Sequence, residues 1–330
     1  MSVRVEVSSE TLELHQRAVV VDTHVDSILS VISGERRLTE RSDSGHLDFP
    51  RMREGGVDVQ FFACYIAEEF KPDRSLKRVL QLIDAFYREV ESASGEIAVC
   101  TGAAEIDAAL AAGKMAAILS VEGGEAIGAD LACLRMLYRL GVRSLGLTWN
   151  QRNAIADGIG EARTRGGLTK FGVEVVREMN RIGMLVDVSH LSEPGFWDVL
   201  AVSQKPVIAS HSNARAVCDH LRNLTDDQIR ALARNGGVMG MNFAPRVIDP
   251  QVATAERLLD HVDHVAGLVG ADHIGLGSDY DGIAKTPAGL EDVTCLPKIT
   301  EGLLRRGYSE EDILKILGLN HLRVIREVLS

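Results

Sequence analysis

Cysteine is scarce and scattered in this sequence of 330 residues. The five cysteines never form a Cys-x-x-Cys pair, and their number is odd. This distribution argues against a disulfide framework and against a thiolate zinc site, and it fits a reducing compartment.

A dense run of lysine and arginine is also missing. The formal net charge is -11 and the sequence pI is about 5.4. Because nucleic-acid binders carry a basic stripe, the sequence excludes a nucleic-acid partner and an anionic membrane surface. Residues 1–17 are too charged for the apolar core of a signal peptide, and residues 322–330 are not an apolar anchor tail. We therefore expect a cytoplasmic protein.

No proline-rich or serine-rich linker divides the chain, which predicts one domain over residues 1–330. Short runs of Val, Ile and Leu alternate with longer amphipathic stretches, a pattern typical of β/α units around a parallel sheet. The predicted strands are residues 18–24, 57–65, 116–122, 144–149, 184–190, 206–211, 237–243 and 273–279.

Eight such units predict an α/β fold of the (β/α)8 TIM-barrel type. Residues 70–77 and 101–115 lengthen the second unit, which we expect to carry an additional short strand and helix. A doubly wound open sheet is the alternative. It would usually bring a glycine-rich phosphate turn after its first strand, whereas this turn reads "DTHVDS".

Most of the predicted strands end in ionisable residues. The active site of a TIM barrel is assembled at the C-terminal ends of its strands, so these side chains are expected to meet. In chain order, the residues at or just after these ends are His24, Asp26, Glu122, Trp149, His190, His211 and Asp279, of which only Trp149 is not ionisable.

A divalent metal explains this set best. His24 and Asp26 are two residues apart and share one face of a strand, and imidazole with carboxylate suits a divalent ion. Glu122 ends an apolar strand, where an unpaired carboxylate would be costly to bury. His24, Asp26, Glu122, His190 and His211 outnumber the ligands of one tetrahedral site with a position left for water. They suit two zinc ions bridged by a carboxylate. Glu122 is the natural bridge, since no lysine stands at a strand end to bridge the ions as a carbamate.

Each ligand has a structural alternative when taken alone. His190 is also compatible with a helix-entry position, and His211 with a hydrogen-bonded core histidine. Glu125, on the turn after Glu122, is the residue that could be mistaken for the ligand.

The other histidines serve as internal controls. Asp48, in a second His-x-Asp pair, precedes a proline and is predicted to cap a helix. His261 and His264 lie three apart beside aspartates and are predicted to form a solvated helix face. Structural roles are expected for His15, His46, His220, His273 and His321.

Several separated motifs together resemble the membrane dipeptidases, also called renal dipeptidases, which are zinc metallopeptidases of the amidohydrolase-type barrels. The similarity runs from about residue 17 to the end of the chain. Its motifs are "DTHVD", "SVEGGEAIG", "DVSHLS", "ASHSNAR", "RNLTDDQIRALARNGGVMGMNF", "HIGLGSDYDGI" and "GLEDV".

The resemblance implies roles for individual residues. It places His24 and Asp26 on one zinc ion and His190 and His211 on the other, with Glu122 between them. Arg222 would pair with the free carboxylate of a dipeptide, for which the arginine fork is suited. Asp279 would hold or protonate the amine side of the dipeptide as a proton shuttle. Asp281 is the neighbouring residue with which it could be confused.

The sequence departs from the animal members in two places. Trp149 stands where those members carry the histidine that steadies the oxyanion, and indole donates one hydrogen bond but carries no charge. Trp149, Asn150 or Asn153 would supply the donor, or the metals would carry more of the charge. The stretch "MNFAPRVIDP" also lacks the tyrosine that animal members use beside the arginine.

The sequence therefore predicts a binuclear zinc dipeptidase in which a metal-bridging hydroxide attacks the peptide carbonyl. The resemblance implies dipeptide substrates, tolerance of a D-residue at the second position, and a homodimer. Two alternatives remain open. One is another metal-dependent amidohydrolase reaction on a cyclic amide or lactone, and the other is a barrel that binds without turnover.

Overall fold

The computed structural model describes residues 7–329 and contains a parallel sheet of nine strands. The strands are β1 (Val20–Val25), β2 (Val57–Tyr65), β3 (Ile97–Val99), β4 (Met115–Glu122), β5 (Val142–Gly146), β6 (Leu185–Asp187), β7 (Ile208–Ala209), β8 (Val238–Met241) and β9 (Ile274–Leu276).

Eight of these strands close into a barrel. Strand β1 pairs with both β2 and β9, and β2 pairs with β4, which completes the ring. The short strand β3 stands outside the ring and pairs with the first half of β4. The predicted TIM barrel is therefore confirmed. The extra strand lies in the lengthened second unit, but between the two segments (70–77 and 101–115) that indicated it.

Helices surround the ring and fill most of the connections between strands. The α-helices are α1 (Ser9–Arg17), α2 (Ile28–Ile32), α3 (Phe49–Glu54), α4 (Ser75–Ser92), α5 (Ala103–Ala111), α6 (Leu131–Arg139), α7 (Lys170–Ile182), α8 (Glu193–Val202), α9 (Asp226–Arg234), α10 (Pro245–Ile248), α11 (Ala255–Val269), α12 (Pro297–Arg305), α13 (Glu310–Leu314) and α14 (Asn320–Val328). Short 3-10 helices span Glu68–Phe70, Gly124–Ile127, Ile159–Thr164, Ala271–His273 and Val293–Cys295, and a π-helical turn spans Lys315–Leu319.

The barrel strands after β4 are shorter than the sequence predicts. Prediction extended β6 to residue 190 and β9 to residue 279, but the ladders end at Asp187 and Leu276. His190 and Asp279 lie beyond these ends with φ of 65° and 63°, in the left-handed region. The backbone has to leave the β-sheet pairing before it can turn these side chains over the mouth of the barrel. A run of apolar residues in the sequence does not show where that pairing ends.

Alternation along β4 explains how Glu122 reaches the interior. Ala116 and Ile118 belong to a cluster that also includes Val59 and Phe61 of β2 and Leu322 and Ile325 of α14. Glu122 has the same parity as Ala116 and Ile118, so it shares their face of the strand. Helix α14 thus packs under one end of the barrel core, and Glu122 stands at the other.

The predictions for Asp48 and for His261 have different outcomes. Asp48 caps α3, accepting a hydrogen bond from the Arg51 backbone N–H at 2.8 Å, as predicted. The solvated face is wrong for His261, which is fully buried. Its ring bonds to the carbonyl oxygen of Ile248 and to the backbone N–H of Ala214, because α11 packs this side against the loops after β7 and β8.

No helix among residues 7–329 combines the length and the apolar character that crossing a bilayer requires.

Candidate metal centre

The five predicted ligands meet at the C-terminal mouth of the barrel. Ligand atoms within 4.8 Å of one another form three overlapping groups. One group is His24, Asp26 and Glu122, the second is Glu122, His190 and His211, and the third is His24, His211 and Asp279. All of these side chains are buried, so the cluster is a deep polar floor within an apolar barrel.

Glu122 divides its two oxygens between two sets of ligands. Its Oε2 lies 3.6 Å from Nε2 of His24, on the side that includes Asp26. Its Oε1 lies 3.1 Å from Nε2 of His190 and 3.6 Å from Nε2 of His211. A carboxylate with one oxygen on each side is the arrangement expected of a ligand shared by two cations.

The ring nitrogens of His190 and His211 also fit a metal. Nδ1 of His190 donates to Oδ1 of Asn150 at 2.8 Å, and Nδ1 of His211 donates to Oγ of Ser210, which donates in turn to Asp187 at 2.6 Å. Both Nε2 atoms then present lone pairs, although they are only 3.0 Å apart. Two lone pairs repel at this distance, and a bound cation would remove the conflict.

His24 and Asp26 contain unsatisfied polar atoms. Nε2 of His24 and Oδ1 of Asp26 are buried and have no hydrogen-bond partner. Nε2 of His24 lies 3.3 Å from Oδ2 of Asp26. Buried polar atoms are rarely left unpaired, so the donor set fits a divalent ion on this side as well.

Two aspartates that sequence reasoning missed hold the strand ends together. Asp22 accepts hydrogen bonds from the Ser278 backbone N–H at 2.8 Å and from its hydroxyl at 2.6 Å, which joins the ends of β1 and β9. Asp187 does the same with Ser210, at 2.9 and 2.6 Å, and joins β6 to β7. The available signal was an aspartate shortly before the histidine in both "VVDTH" and "LVDVSH".

The unbalanced charges of the cluster appear in its pKa values. Burial raises the pKa of Glu122 to about 8. Burial lowers that of His24, but Glu122 and Asp26 outweigh this and raise it to about 10. Burial also lowers the pKa values of His190 and His211 well below their ordinary value, which keeps these rings neutral. Without a cation, the cluster therefore holds protons at neutral pH.

This proton content predicts that metal binding depends on pH. An entering ion has to displace protons from His24 and Glu122, so its apparent affinity should rise from pH 6 to pH 9 and binding should release protons. Calorimetric zinc titration in two buffers of different ionisation enthalpy measures both effects. An affinity independent of pH, with no proton release, would contradict the arrangement.

Arg222 and Asp279 lie beside the cluster, with different partners. The Arg222 guanidinium is buried and bonds to the carbonyl oxygen of His211 at 2.9 Å, yet no carboxylate of residues 7–329 lies within 4 Å of it. Asp279 accepts a hydrogen bond from Asn242 at 3.1 Å. Asp281, the residue with which it could be confused, instead pairs with Arg36.

Trp149 forms one wall of the mouth. Its ring centroid lies 5.9 Å from that of His190 and 5.2 Å from that of Tyr65. The Lys71 ammonium lies 5.1 Å from the Trp149 ring and 3.1 Å from Glu125. Glu125 is therefore committed to an ion pair outside the cluster, as its position on the turn had indicated.

Asn153, predicted as one of three possible donors to the oxyanion, is engaged in the turn after β5. Its amide donates to the carbonyl oxygen of Leu147 at 2.8 Å, and its Oδ1 accepts from the backbone N–H groups of Ile155 and Ala156. The residue shapes the turn after β5. Asn150 uses its side-chain oxygen to orient His190, so it acts on a ligand.

Comparison with known proteins agrees with this geometry. The profile of the membrane dipeptidases, peptidase family M19, matches residues 8–330. The chain belongs to the membrane dipeptidase family. It is therefore a metallopeptidase, and the predicted enzyme class is confirmed.

Several relatives of this dipeptidase family resemble the chain over most of its length. Dipeptidase verJ from Clonostachys rogersoniana is 37% identical over 294 residues, which is 86% of this chain and 76% of that protein. The crystal structure of dipeptidase AC, a metallopeptidase of family M19, superposes with a TM-score of 0.88 at 33% identity and covers 94% of this chain and 99% of its own.

A third relative is a metallopeptidase from Rhodobacter sphaeroides. Its crystal structure superposes with a TM-score of 0.87 at 32% identity and covers 94% of this chain and 99% of its own. That protein is liganded with a phosphinate mimic of the dipeptide L-Ala-D-Ala.

Proposed function

We propose that this chain is a binuclear zinc dipeptidase. His24 and Asp26 would hold one zinc ion, His190 and His211 the other, and Glu122 would bridge them. The observation that carries the proposal is the division of the Glu122 oxygens between His24 on one side and His190 and His211 on the other. Two zinc ions bound there would polarise a peptide carbonyl and lower the pKa of a water molecule toward about 7.

Arg222 would bind the substrate carboxylate. Burial lowers its pKa to about 10, yet the group stays cationic at neutral pH. A buried guanidinium without a carboxylate partner is costly to the free protein, and an incoming carboxylate would supply the missing charge. Because Arg222 bonds to the backbone of the ligand His211, it is held beside the metal centre and would place the carboxylate at a short spacing from the scissile bond. This spacing favours dipeptides over longer peptides.

Asp279 would move the proton. Burial raises its pKa to about 6, close enough to neutral pH for the carboxyl group to accept and return a proton. The amide of Asn242 fixes one of its oxygens, and its neighbours are His24 and His211. From this position Asp279 would deliver the proton to the leaving amine as the peptide bond breaks.

The Rhodobacter relative supports a D-residue at the second position, since its ligand mimics L-Ala-D-Ala. We expect the zinc-loaded protein to hydrolyse L-Ala-L-Ala and L-Ala-D-Ala, and to leave tri-alanine and L-Ala-L-Ala amide largely intact. Initial rates on these four substrates test the proposal. Turnover of none of them, or equal rates on the dipeptides and on tri-alanine, would contradict it.

A further inference from the structure

The inward face of β2 ends at Tyr65, a residue without a role in the function proposed above. This face pairs in register with the inward face of β4, in the order Val59 with Ala116, Phe61 with Ile118, Ala63 with Ser120 and Tyr65 with Glu122. Paired residues of neighbouring parallel strands send their side chains to the same side of the sheet. The Tyr65 side chain therefore stands next to that of Glu122 at the mouth of the barrel.

The Tyr65 hydroxyl is free to bind a ligand. Tyr65 is partly exposed, whereas Ala63 below it on the same face is buried. The hydroxyl groups of Tyr87, Tyr280 and Tyr308 donate hydrogen bonds to other residues of the protein. That of Tyr65 has no hydrogen-bond partner among residues 7–329, so it can donate to a bound molecule.

Neighbouring side chains hold the Tyr65 ring in place. It meets the Trp149 ring at a centroid distance of 5.2 Å and an angle of 64°. The Lys71 ammonium lies 6.0 Å from the centre of the Tyr65 ring and 5.1 Å from that of Trp149. The Trp149 ring in turn lies 5.9 Å from that of His190. Tyr65 therefore adjoins both Glu122 and the aromatic wall that leads to His190, and its hydroxyl is oriented before a substrate arrives.

Peptide hydrolysis is faster when a hydrogen-bond donor faces the carbonyl oxygen, where negative charge develops. Among the donors considered above, the Asn153 amide donates within the turn after β5, and Asn150 orients a histidine ligand. The Trp149 indole lies on a loop, three residues beyond the end of β5. Tyr65 is instead the strand partner of Glu122, which divides its oxygens between the two groups of ligands. This pairing places the phenol beside the proposed position of the reacting carbonyl.

We propose that Tyr65 is a catalytic residue whose hydroxyl donates a hydrogen bond to the oxyanion that forms at the scissile carbonyl. The inference rests on the proposed function, because Glu122 has to lie beneath the reacting carbonyl. Burial raises the pKa of Tyr65 above its ordinary value, so the hydroxyl keeps its proton at neutral pH. No bond of the tyrosine is made or broken. Its hydrogen bond strengthens as the carbonyl oxygen gains charge, so its loss should appear in kcat rather than in KM.

The test is Tyr65→Phe, which removes the hydroxyl and keeps the ring that packs on Trp149. In the zinc-loaded variant, kcat for L-Ala-D-Ala should be about tenfold to a hundredfold lower, the range for one hydrogen bond to a charged group. KM and zinc content should stay close to those of the parent. A phosphinate analogue of L-Ala-D-Ala carries tetrahedral oxygens at the reacting centre. Its Kd, measured by calorimetry, should rise by about the same factor as kcat falls.

Tyr138→Phe is the matched control. The Tyr138 hydroxyl also has no hydrogen-bond partner among residues 7–329, and the ring packs on the Arg143 guanidinium at 3.9 Å. Tyr138 stands near the end of α6, just before β5 begins, so it lies at the end of the barrel opposite the mouth. This variant should keep the parent kcat and the parent Kd for the phosphinate.

The outcomes separate this inference from the function beneath it. Equal kcat and equal phosphinate affinity in Tyr65→Phe and the parent overturn the role of Tyr65 and leave the dipeptidase intact. A loss confined to KM, or one that accompanies loss of zinc, also overturns it and assigns Tyr65 to substrate packing or to the fold of the metal centre. An equal fall of kcat in Tyr138→Phe does the same. No turnover of L-Ala-D-Ala or L-Ala-L-Ala by the parent protein overturns both proposals.

Discussion

Glu122→Gln is expected to reduce the hydrolysis rate by at least about a thousandfold and to abolish tight binding of both zinc ions. The amide is the same size as the carboxylate but brings no negative charge. Its NH2 group would replace one of the two ligand oxygens, either the one facing His24 or the one facing His190 and His211. Metal content by atomic emission and initial rates on L-Ala-D-Ala measure the two effects.

Stability provides an independent readout of the same variant. Asp26, Glu122 and Asp279 are buried close together, so the metal-free protein carries a costly group of carboxylates. Zinc should therefore raise the Tm of the unmodified protein, whereas metal-free Glu122→Gln should be at least as stable as the metal-free parent and respond little to zinc.

Glu125→Gln is the matched control for Glu122→Gln. It neutralises a carboxylate three residues further on, one that pairs with Lys71 outside the cluster. This variant should keep two zinc ions, and any loss of stability should be the same with and without metal. A Glu122→Gln protein with two ions and full activity would rule out the bridging role.

Arg222→Met is expected to lower kcat/KM for free dipeptides by roughly a hundredfold to a thousandfold, mainly through KM, the range for loss of one partner of a buried charge pair. Methionine fills similar space without charge, so the barrel should still fold. A C-terminally amidated dipeptide has no carboxylate to lose and should be hydrolysed equally poorly by both proteins. Steady-state kinetics on the matched pair of substrates separates the two effects.

Arg222→Lys should fall between the parent and Arg222→Met, because an ammonium keeps the charge but loses the two-pronged geometry. Equal kinetics of Arg222→Met and the parent on free dipeptides would remove the carboxylate clamp from the account. A similar fall on free and amidated substrates would instead show that Arg222 supports the fold of the metal centre.

The barrel could be predicted from the sequence because its signal is local. Eight apolar runs alternate with amphipathic stretches, and this alternation predicts the number of strands. Each run ends near a polar residue, and these ends predict where the site lies. Strand length could not be predicted in the same way. β7 contains only Ile208 and Ala209, although the apolar run around it is longer, because pairing depends on neighbours far away in the sequence.

The environment of the ligands was harder to predict than the ligands themselves. His24 and His190 end predicted strands, but the hydrogen bond that orients His190 comes from Asn150, 40 residues earlier. The sequence made Asn153 a candidate donor because an amide offers N–H groups, but it does not reveal that this amide donates to the carbonyl oxygen of Leu147 within the local turn. Periodicity reports which residues face the core, and it does not report which polar groups find each other.

Long-range ion pairs show the same limit. Lys71 follows β2 and Glu125 follows β4, and nothing in either stretch indicates that they meet beside Trp149. His261 illustrates the converse case. Its neighbours in the sequence are acidic and predict an exposed face, but α11 buries it against the loops that follow β7 and β8.

The most direct test of the central claim is the rate of L-Ala-D-Ala hydrolysis as zinc is returned stepwise to chelator-stripped protein. If Glu122 bridges two ions, the protein should bind two equivalents and the rate should rise steeply as the second equivalent binds. Full activity at one equivalent, or binding of only one ion at saturation, would contradict the binuclear centre.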